Sequence, residues 1–376
     1  MTPAAFDVAI VGAGIVGAAC AAECAQAGMR VVVIERDLVG GGATSAGMGH
    51  IVVMDDSEAQ FALTRYSQNL WNELSSQFPA DVEFERCGTI WVAADDEEMA
   101  EVRRKQGFCE ARGVPAEILD AKALEEAEPN LRTGLMGGLL VPEDGVVYPP
   151  CAARYLLERA KDRGAVVRLG QPAIEANREG PRLRDGTLVP ARVTVNAGGA
   201  SSPSLTPGVE VQKRKGHLVI TDRYPRFVHH QLVELGYLKS AHSLTSDSVA
   251  FNIQPRRTGQ VLIGSSRQYG VDDLKVEPFM LQKMLQRARE YMPGLSRLSA
   301  IRAWTGFRPA TPDKLPLIGP CPGQEWLYLA TGHEGLGITT SLGTAKLLAD
   351  QLLNRPAQIP VEPYLPARTK QGSTHA

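Results

Sequence analysis

The chain has 376 residues, 44% hydrophobic and 22% charged, enough for an ample core in two domains or one elaborate one. A formal net charge of -2 leaves no basic excess to neutralise a nucleic-acid backbone, and no lysine/arginine block is interleaved with aromatics. The six cysteines form no CxxC pair and no cluster spacing, a pattern that argues against zinc or iron–sulfur ligation by this chain and for reduced thiols in a cytoplasmic setting.

Residues 7–11 read as a short strand, followed by Gly12-Ala13-Gly14-Ile15-Val16-Gly17 and an alanine-rich helix that stops at Gly28. Cys20 and Cys24 share a face of that helix, where small side chains pack against a sheet. A second apolar run ends at Glu35, about twenty residues beyond Gly12, with Arg36 next. Gly12 permits the tight turn, Gly14 lets backbone approach a pyrophosphate, and Gly17 lets helix and strand pack closely. The helix N-terminus favours the negative charge, and Glu35 suits ribose hydroxyls. The apolar N-terminal run lacks a basic flank and is broken by these glycines, so it is not read as a signal sequence. No segment reaches the roughly eighteen apolar residues of a membrane span.

After Glu35 the segment Gly40, Gly41, Gly42, Ala43, Thr44, Ser45, Gly47, Met48 is flexible and rich in hydroxyls. It suits a loop folding over the second half of a dinucleotide cofactor better than the next regular element of a nicotinamide domain, the alternative being a plain surface loop. Helical periodicity at 152–163 and strand-like runs at 165–169 and 192–196 then resume the nucleotide-binding pattern. Between and after these lie short β-type runs, "GTIWVAA", "GHLVIT", "VAFNIQP" and "QVLIGSS", with a hairpin-like corner at 255–259 and a helix around 280–291. Near the end, "LATGHEGLGITT" is a second strand-to-helix junction with glycines at the turn, the helix starting at about Ile338.

Taken in order, "DVAIVGAGIVGAACAAECAQAGMRVVVIER", "GGGATSAGMG", "VTVNAGGASS", "GFRPATPDKLPLIG" and "LYLATGHEGLGITTS" resemble the D-amino acid oxidase superfamily of FAD-dependent oxidoreductases over nearly the whole chain. The last two pieces look most like the FAD-bearing polypeptides of heteromeric dehydrogenases, those of D-hydroxyproline dehydrogenase (its beta polypeptide), hydrogen cyanide synthase and opine oxidase. Glycine and sarcosine oxidases are more distant likenesses. The resemblance implies an α/β fold, with a Rossmann-like FAD-binding domain of glutathione-reductase type (1–76, 142–210 and 304–366) and an inserted, mainly antiparallel sheet for substrate (77–141 and 211–303). Residues 367–376 form a C-terminal tail.

It also implies removal of a hydride from the carbon alpha to an amine onto flavin N5. Cofactor contacts are then expected from the glycine loop, Glu35, Arg36 and the 42–48 loop, from Val167 beside adenine, and from Ala197 and Gly198 over the pyrophosphate. Gly332, His333, Gly335, Leu336, Gly337, Ile338 and Thr339 are expected under the flavin, where a helix N-terminus stabilises charge at N1 and the C2 carbonyl. Gly306-Phe307-Arg308-Pro309 stands where the family has G-L-R-P, so Arg308 is the expected anchor of a substrate carboxylate. The alternative is that Arg308 pairs with Asp313, and Arg302 is a weaker candidate.

Glu334 stands where glycine oxidase has a second arginine. It meets a substrate ammonium, a ring hydroxyl or a cation of a neighbouring polypeptide, or is a solvated loop residue. His50 either handles a proton or hydrogen-bonds substrate, or is structural, and His217 heads a strand into the pocket region. Asn252 and Gln254 alternate with Phe251 and Ile253, and either place amides over the pocket or show only the ordinary alternation of a sheet. No metal is expected.

The resemblance implies an amino acid dehydrogenase, most specifically for D-hydroxyproline, that passes electrons to partner subunits with further redox centres. FMN at an interface with such a partner and peripheral attachment to the inner membrane through partners belong to the same reading. An oxygen-using glycine, sarcosine or D-amino acid oxidase, a component of the opine oxidase or hydrogen cyanide synthase type, and a non-catalytic flavin-bearing assembly component are the alternatives.

Overall fold

The computed structural model describes residues 5–236 and 247–368. Of the expected tail at 367–376, residues 369–376 lie outside that description.

Apolar runs with no polar alternation form strands buried on both faces. A six-stranded sheet takes the order Leu317–Cys321, Gln324–Thr331, Ala191–Asn196, Phe6–Val11, Val31–Ile34, Val166–Arg168. All of its pairings are parallel except that of Leu317–Cys321 with Gln324–Thr331. Helices Ile15–Gln26, Pro149–Lys161 and Gly337–Leu352 cover one face through alanine, leucine and the buried Cys20 and Cys24. A hairpin of Ala173–Asn177 and Gly180–Leu183 brings Leu183 to the other.

A second, eight-stranded sheet runs Ala300–Ala310, Gln212–Arg223, Gln260–Arg267, Ser248–Pro255, Gln231–Glu234, Thr89–Ala93, Gly137–Val141, Glu117–Asp120. It is antiparallel but for Gln231–Glu234 beside Thr89–Ala93, which pair in parallel. Here period-2 alternation divides the faces. Phe251, Ile253, Val219 and Ile263 join the core under helix Pro278–Tyr291, with the Phe251 and Tyr291 rings stacked at 4.5 Å. Asn252, Gln254, Leu218 and Trp304 occupy the opposite face.

Ala300–Ala310 is a single strand paired with Gln212–Arg223 along its length. Residues 304–310 therefore continue this sheet, and an inter-domain boundary at 303/304 falls inside the strand. The corner expected at 255–259 is a tight turn in which Gly259 N donates to Arg256 O at 2.8 Å.

Buried polar groups tie the sheets to the helices. Trp71 is fully buried and its indole N–H donates to Thr339 O at 3.0 Å. Asp144 is fully buried and its Oδ1 accepts from Val53 N at 3.2 Å and Gln68 Nε2 at 2.8 Å; burial pushes its carboxyl up to about 7. A raised carboxyl pKa means that, from about 4 up to 7, the folded state holds a proton the unfolded chain has released, so stability falls as pH rises across that window and levels off above it. Asp144→Asn keeps both hydrogen bonds and removes the ionisation. It is expected to flatten this decline and to raise the melting temperature at pH 8 by roughly 2–4 °C or more, read by thermal scans from pH 4 to 8.

Candidate functional site: a dinucleotide cradle beneath an arginine-lined sheet

The cradle gathers at the ends of the parallel strands. Gly12 has φ +111, and a Cβ there would lie 2.6 Å from Ala197 O; one on Gly17 would lie 1.9 Å from Gly12 O. Only glycine allows strand, loop and helix to approach so closely. The helix that follows has no side-chain N-cap. Thr44 Oγ1 accepts from Ile15 N at 3.0 Å, joining the 42–48 loop to the helix start.

Glu35 is oriented by Ala13 N at 2.7 Å and Asp37 N at 2.8 Å, leaving lone pairs for hydroxyl donors. Arg36 pairs with Asp37, and its Nη1 donates to Ser201 Oγ at 3.3 Å. Val167 lies on the edge strand opposite Val33. Ala197 N donates to Val11 O at 2.9 Å, and Gly198 N to Asn196 Oδ1 at 3.1 Å, so both sit beside the first glycine turn. A helix start whose N-cap is a glycine, bare backbone and an oriented acid suit the pyrophosphate and ribose of FAD.

The second junction closes the other end. Helix Gly337–Leu352 also starts without a side-chain cap, and Leu336 N donates to His333 O at 2.9 Å. Ile338 packs against Gly47, where a Cβ would come within 2.7 Å of its Cδ1; Gly337 lies near Val16. Ser45 Oγ donates to Gly42 O at 3.1 Å, and Gly42 is left-handed at φ +59, so Ala43 is held within a tight turn. Thr339 Oγ1 donates to His50 O at 2.8 Å.

His333 differs from expectation: its buried ring is engaged with Thr344 Oγ1 at 2.9 Å inside the helix packing, and burial lowers its pKa to about 3. A neutral, committed imidazole leaves only its backbone, with that of Gly332 and Gly335, to face a cofactor.

Above the junction, one face of the eight-stranded sheet carries Arg308, Gly306 and Trp304 opposite Arg214, Gly216 and Leu218 in strict register. Missing side chains at the glycines make room. A Cβ on Gly306 would meet Ala46 Cβ at 2.2 Å, and one on Gly216 would strike the Arg308 guanidinium at 2.4 Å. Arg308 thus lies across Gly216, its Nη1 donating to Ser266 O at 2.9 Å, with Gly335 beside its Cδ. Burial, then Arg214, lower the Arg308 pKa to about 10, and burial, Arg214 and Arg308 lower that of Arg267 to about 9. Both remain cations at neutral pH.

Asp313 binds Arg368 at 2.7 Å instead of Arg308, and Arg302 is exposed over the Trp304 ring. Glu334, at φ +53, forms its ion pair with Arg214 of the same chain. His50 is half-buried, with its Nε2 enclosed and lacking a hydrogen-bond partner; desolvation and Arg308 push its pKa to about 4, so it is neutral at pH 7.

His217 faces the other way, bonded to Ser266 Oγ at 2.9 Å and Glu277 N at 3.0 Å. Asn252 is buried on the pocket face with Oδ1 unpartnered, and Gln254 donates to Met48 O at 2.8 Å. Met48 packs with Leu218 and Leu262. Sequence reading missed Arg214, Arg267 and Tyr269, whose hydroxyl lies 3.1 Å from Arg214 Nη1. Among the described residues no group of three or more His, Cys, Asp or Glu is placed to hold a metal, and no helix is long and apolar enough to cross a membrane.

A Rossmann-type cradle under a cation-lined antiparallel sheet defines an FAD-binding oxidoreductase. The profile of the DAO family, FAD dependent oxidoreductase, matches residues 7–351, and the chain belongs to that family. It is 29% identical to glycine oxidase of Geobacillus kaustophilus over 377 residues, covering 96% of each chain. To hydrogen cyanide synthase subunit HcnC of Pseudomonas aeruginosa it is 27% identical over 416 residues, again covering 96% of each. The solved glycine oxidase of Geobacillus kaustophilus superposes with a TM-score of 0.86 at 26% identity, covering 96% of this chain and 98% of that one. L-proline dehydrogenase from P. horikoshii shares the fold, with a TM-score of 0.87 at 23% identity over 98% and 99% of the two chains.

Gly17→Ala is expected to weaken FAD retention about tenfold or more, since overpacking costs about 1–3 kcal/mol. The ratio of flavin to protein absorbance after dialysis measures it, with far-UV circular dichroism unchanged.

Proposed function

We propose that this chain oxidises the C–N bond of a D-amino or cyclic secondary amino acid, D-hydroxyproline being the most specific candidate, and delivers the electrons to a partner polypeptide. FAD, when bound, supplies the two-electron acceptor for the substrate hydride. The carrying observation is Arg308: a half-buried guanidinium above the second glycine junction, one nitrogen fixed on Ser266 O. A planar cation held in a water-poor pocket fits a carboxylate bidentately and orients the carbon next to it.

Neutral His50 carries no charge to repel an incoming amine, and its unpartnered Nε2 is suited to accept an N–H from it. Trp304, Met48 and Leu218 exclude water around that contact. Asn252 offers an amide to a polar substituent on the substrate. The start of helix Gly337–Leu352 favours negative charge at the flavin pyrimidine edge.

Supporting the substrate class, relatives bear the names glycine oxidase and hydrogen cyanide synthase subunit HcnC, and a fold neighbour that of L-proline dehydrogenase. The second of those names, that of one component of a larger enzyme, favours a partner polypeptide as electron acceptor, with FMN at the interface, in the cytoplasm or peripheral to the inner membrane. Purified complex containing FAD as its only flavin would remove FMN from this reading. The glycine oxidase likeness supports a second reading, direct use of oxygen, for which peroxide release by the isolated chain is the signature.

The test is a screen of D-hydroxyproline, D-proline, glycine, sarcosine and opines with an artificial electron acceptor; flavin bleached by none of them would sink the proposal. Arg308→Ala is expected to lower kcat/KM for the best substrate by about a hundredfold or more, the scale of losing one partner of a buried charge pair. Normal turnover by that variant in the complex would instead indicate an assembly role.

A further inference from the structure

Arg214 and Arg308 stand directly opposite each other on neighbouring antiparallel strands, on one face. Two guanidiniums so placed are a receptor for two carboxylates. In this chain the first of them already has its carboxylate. Glu334 is fixed in the left-handed region at φ +53, its N–H donating to Pro309 O at 2.8 Å, and its carboxylate lies on the Arg214 guanidinium. The two side chains are 17% and 5% exposed, so the pair is shielded from solvent. Tyr269 steadies the same guanidinium from the outer side. Gly335, the next residue, lies against Arg308, so one short loop touches both arginines.

We propose that Glu334 is a built-in occupant of a second carboxylate subsite, which restricts the pocket to amino acids with a single carboxylate. The inference rests on the reading of Arg308 as the substrate's carboxylate anchor. A dicarboxylic substrate anchored on Arg308 brings its second carboxylate beside Glu334, where like charge at low dielectric opposes it. Glu334→Gln removes that charge and keeps the shape. Arg214 is then open to substrate, with the positive charge of Arg267 one strand further on.

The experiment compares kcat/KM, with an artificial acceptor, for matched substrates differing by one carboxylate: D-norvaline against D-glutamate, and sarcosine against iminodiacetate. Wild-type holoenzyme is expected to prefer the monocarboxylate by about a hundredfold. Glu334→Gln should move the ratio at least about tenfold toward the dicarboxylate, and adding Arg214→Gln should abolish that gain. An unchanged ratio in Glu334→Gln, or a wild-type enzyme that handles both members equally, overturns the proposal, because a merely structural glutamate lowers both together.

Binding of butyrate and succinate, read from perturbation of the flavin spectrum in the same three proteins, gives the ratio without turnover. Absence of turnover with intact monocarboxylate preference by binding counts against the proposed reaction and for the subsite. Butyrate binding unaffected by Arg308→Ala counts against the Arg308 anchor.

Discussion

The register between Gln212–Arg223 and Ala300–Ala310 is the constraint on which the site depends. Side chains alternate faces along a strand, so a slip of one residue would send Arg308 into the core and bring Phe307 or Pro309 to the pocket. What pins the register is absence of side chain. Gly216 and Gly306 face each other, and the space they leave is filled from outside, by the Arg308 guanidinium over one and by Ala46 over the other. Neither filler tolerates a Cβ beneath it. The sheet, the 42–48 loop and the Arg308 side chain therefore interlock at one pair of glycines, and the position of Arg308 relative to the cradle is set by backbone geometry.

Electrostatics then decides what may enter. Arg214 and Arg267 are buried and Arg308 is half-buried, and removal from water alone would make three such cations costly. Glu334 offsets the first directly. The histidines respond oppositely. Desolvation keeps both His50 and the packed His333 ring neutral, His50 further by Arg308, so that positive charge beside Arg308 is restricted to groups that do not titrate near neutral pH. A site with fixed cations and neutral imidazoles attracts a carboxylate without also stabilising a protonated base, a useful asymmetry where the reacting amine must be neutral.

How much of this is legible in the sequence follows from how local each cause is. The first glycine loop, Glu35 and the helix beyond it are written in some thirty consecutive residues, each with its own stereochemical reason, and the structure assembles them as read. The second junction is equally local in its backbone. Glu334 is not. Its partner lies in "QKRKGH", where three basic residues in a row look like a solvated strand end; only the pairing of Arg214 with Arg308 puts that cation in the pocket. The available signal was the alternation itself. Arg214-x-Gly216-x-Leu218 and Trp304-x-Gly306-x-Arg308 run in opposite directions with glycines at the centre, as two antiparallel strands with one crowded face require. Arg267 follows "QVLIGSS" and shares the concealment, since nothing nearby in sequence distinguishes a strand-end arginine that enters a pocket from one that meets solvent. The expected boundary at 303/304 lies within one strand for a related reason: the motif "GFRP" resembles the pieces that follow it, whereas hydrogen bonding continues it from the strand that precedes it.

The two helix starts and the arginine face also divide the work along the length of the cofactor. Helix Ile15–Gln26 would meet charge that is permanent, that of a pyrophosphate, and its cradle is rigid: glycines in contact, Thr44 on Ile15 N, Glu35 on Ala13 N. Helix Gly337–Leu352, on the proposed reading, would meet charge that exists only after the flavin is reduced. A dipole held in place before that charge appears needs no reorganisation when it does, which is the condition under which electrostatic stabilisation favours the reduced state over the oxidised one. Burying His333 against Thr344 and Trp71 against Thr339 O holds this second helix start rigid from behind, while leaving its front face to bare backbone. The His333 side chain, inside the second glycine junction, thus holds the neighbouring backbone still.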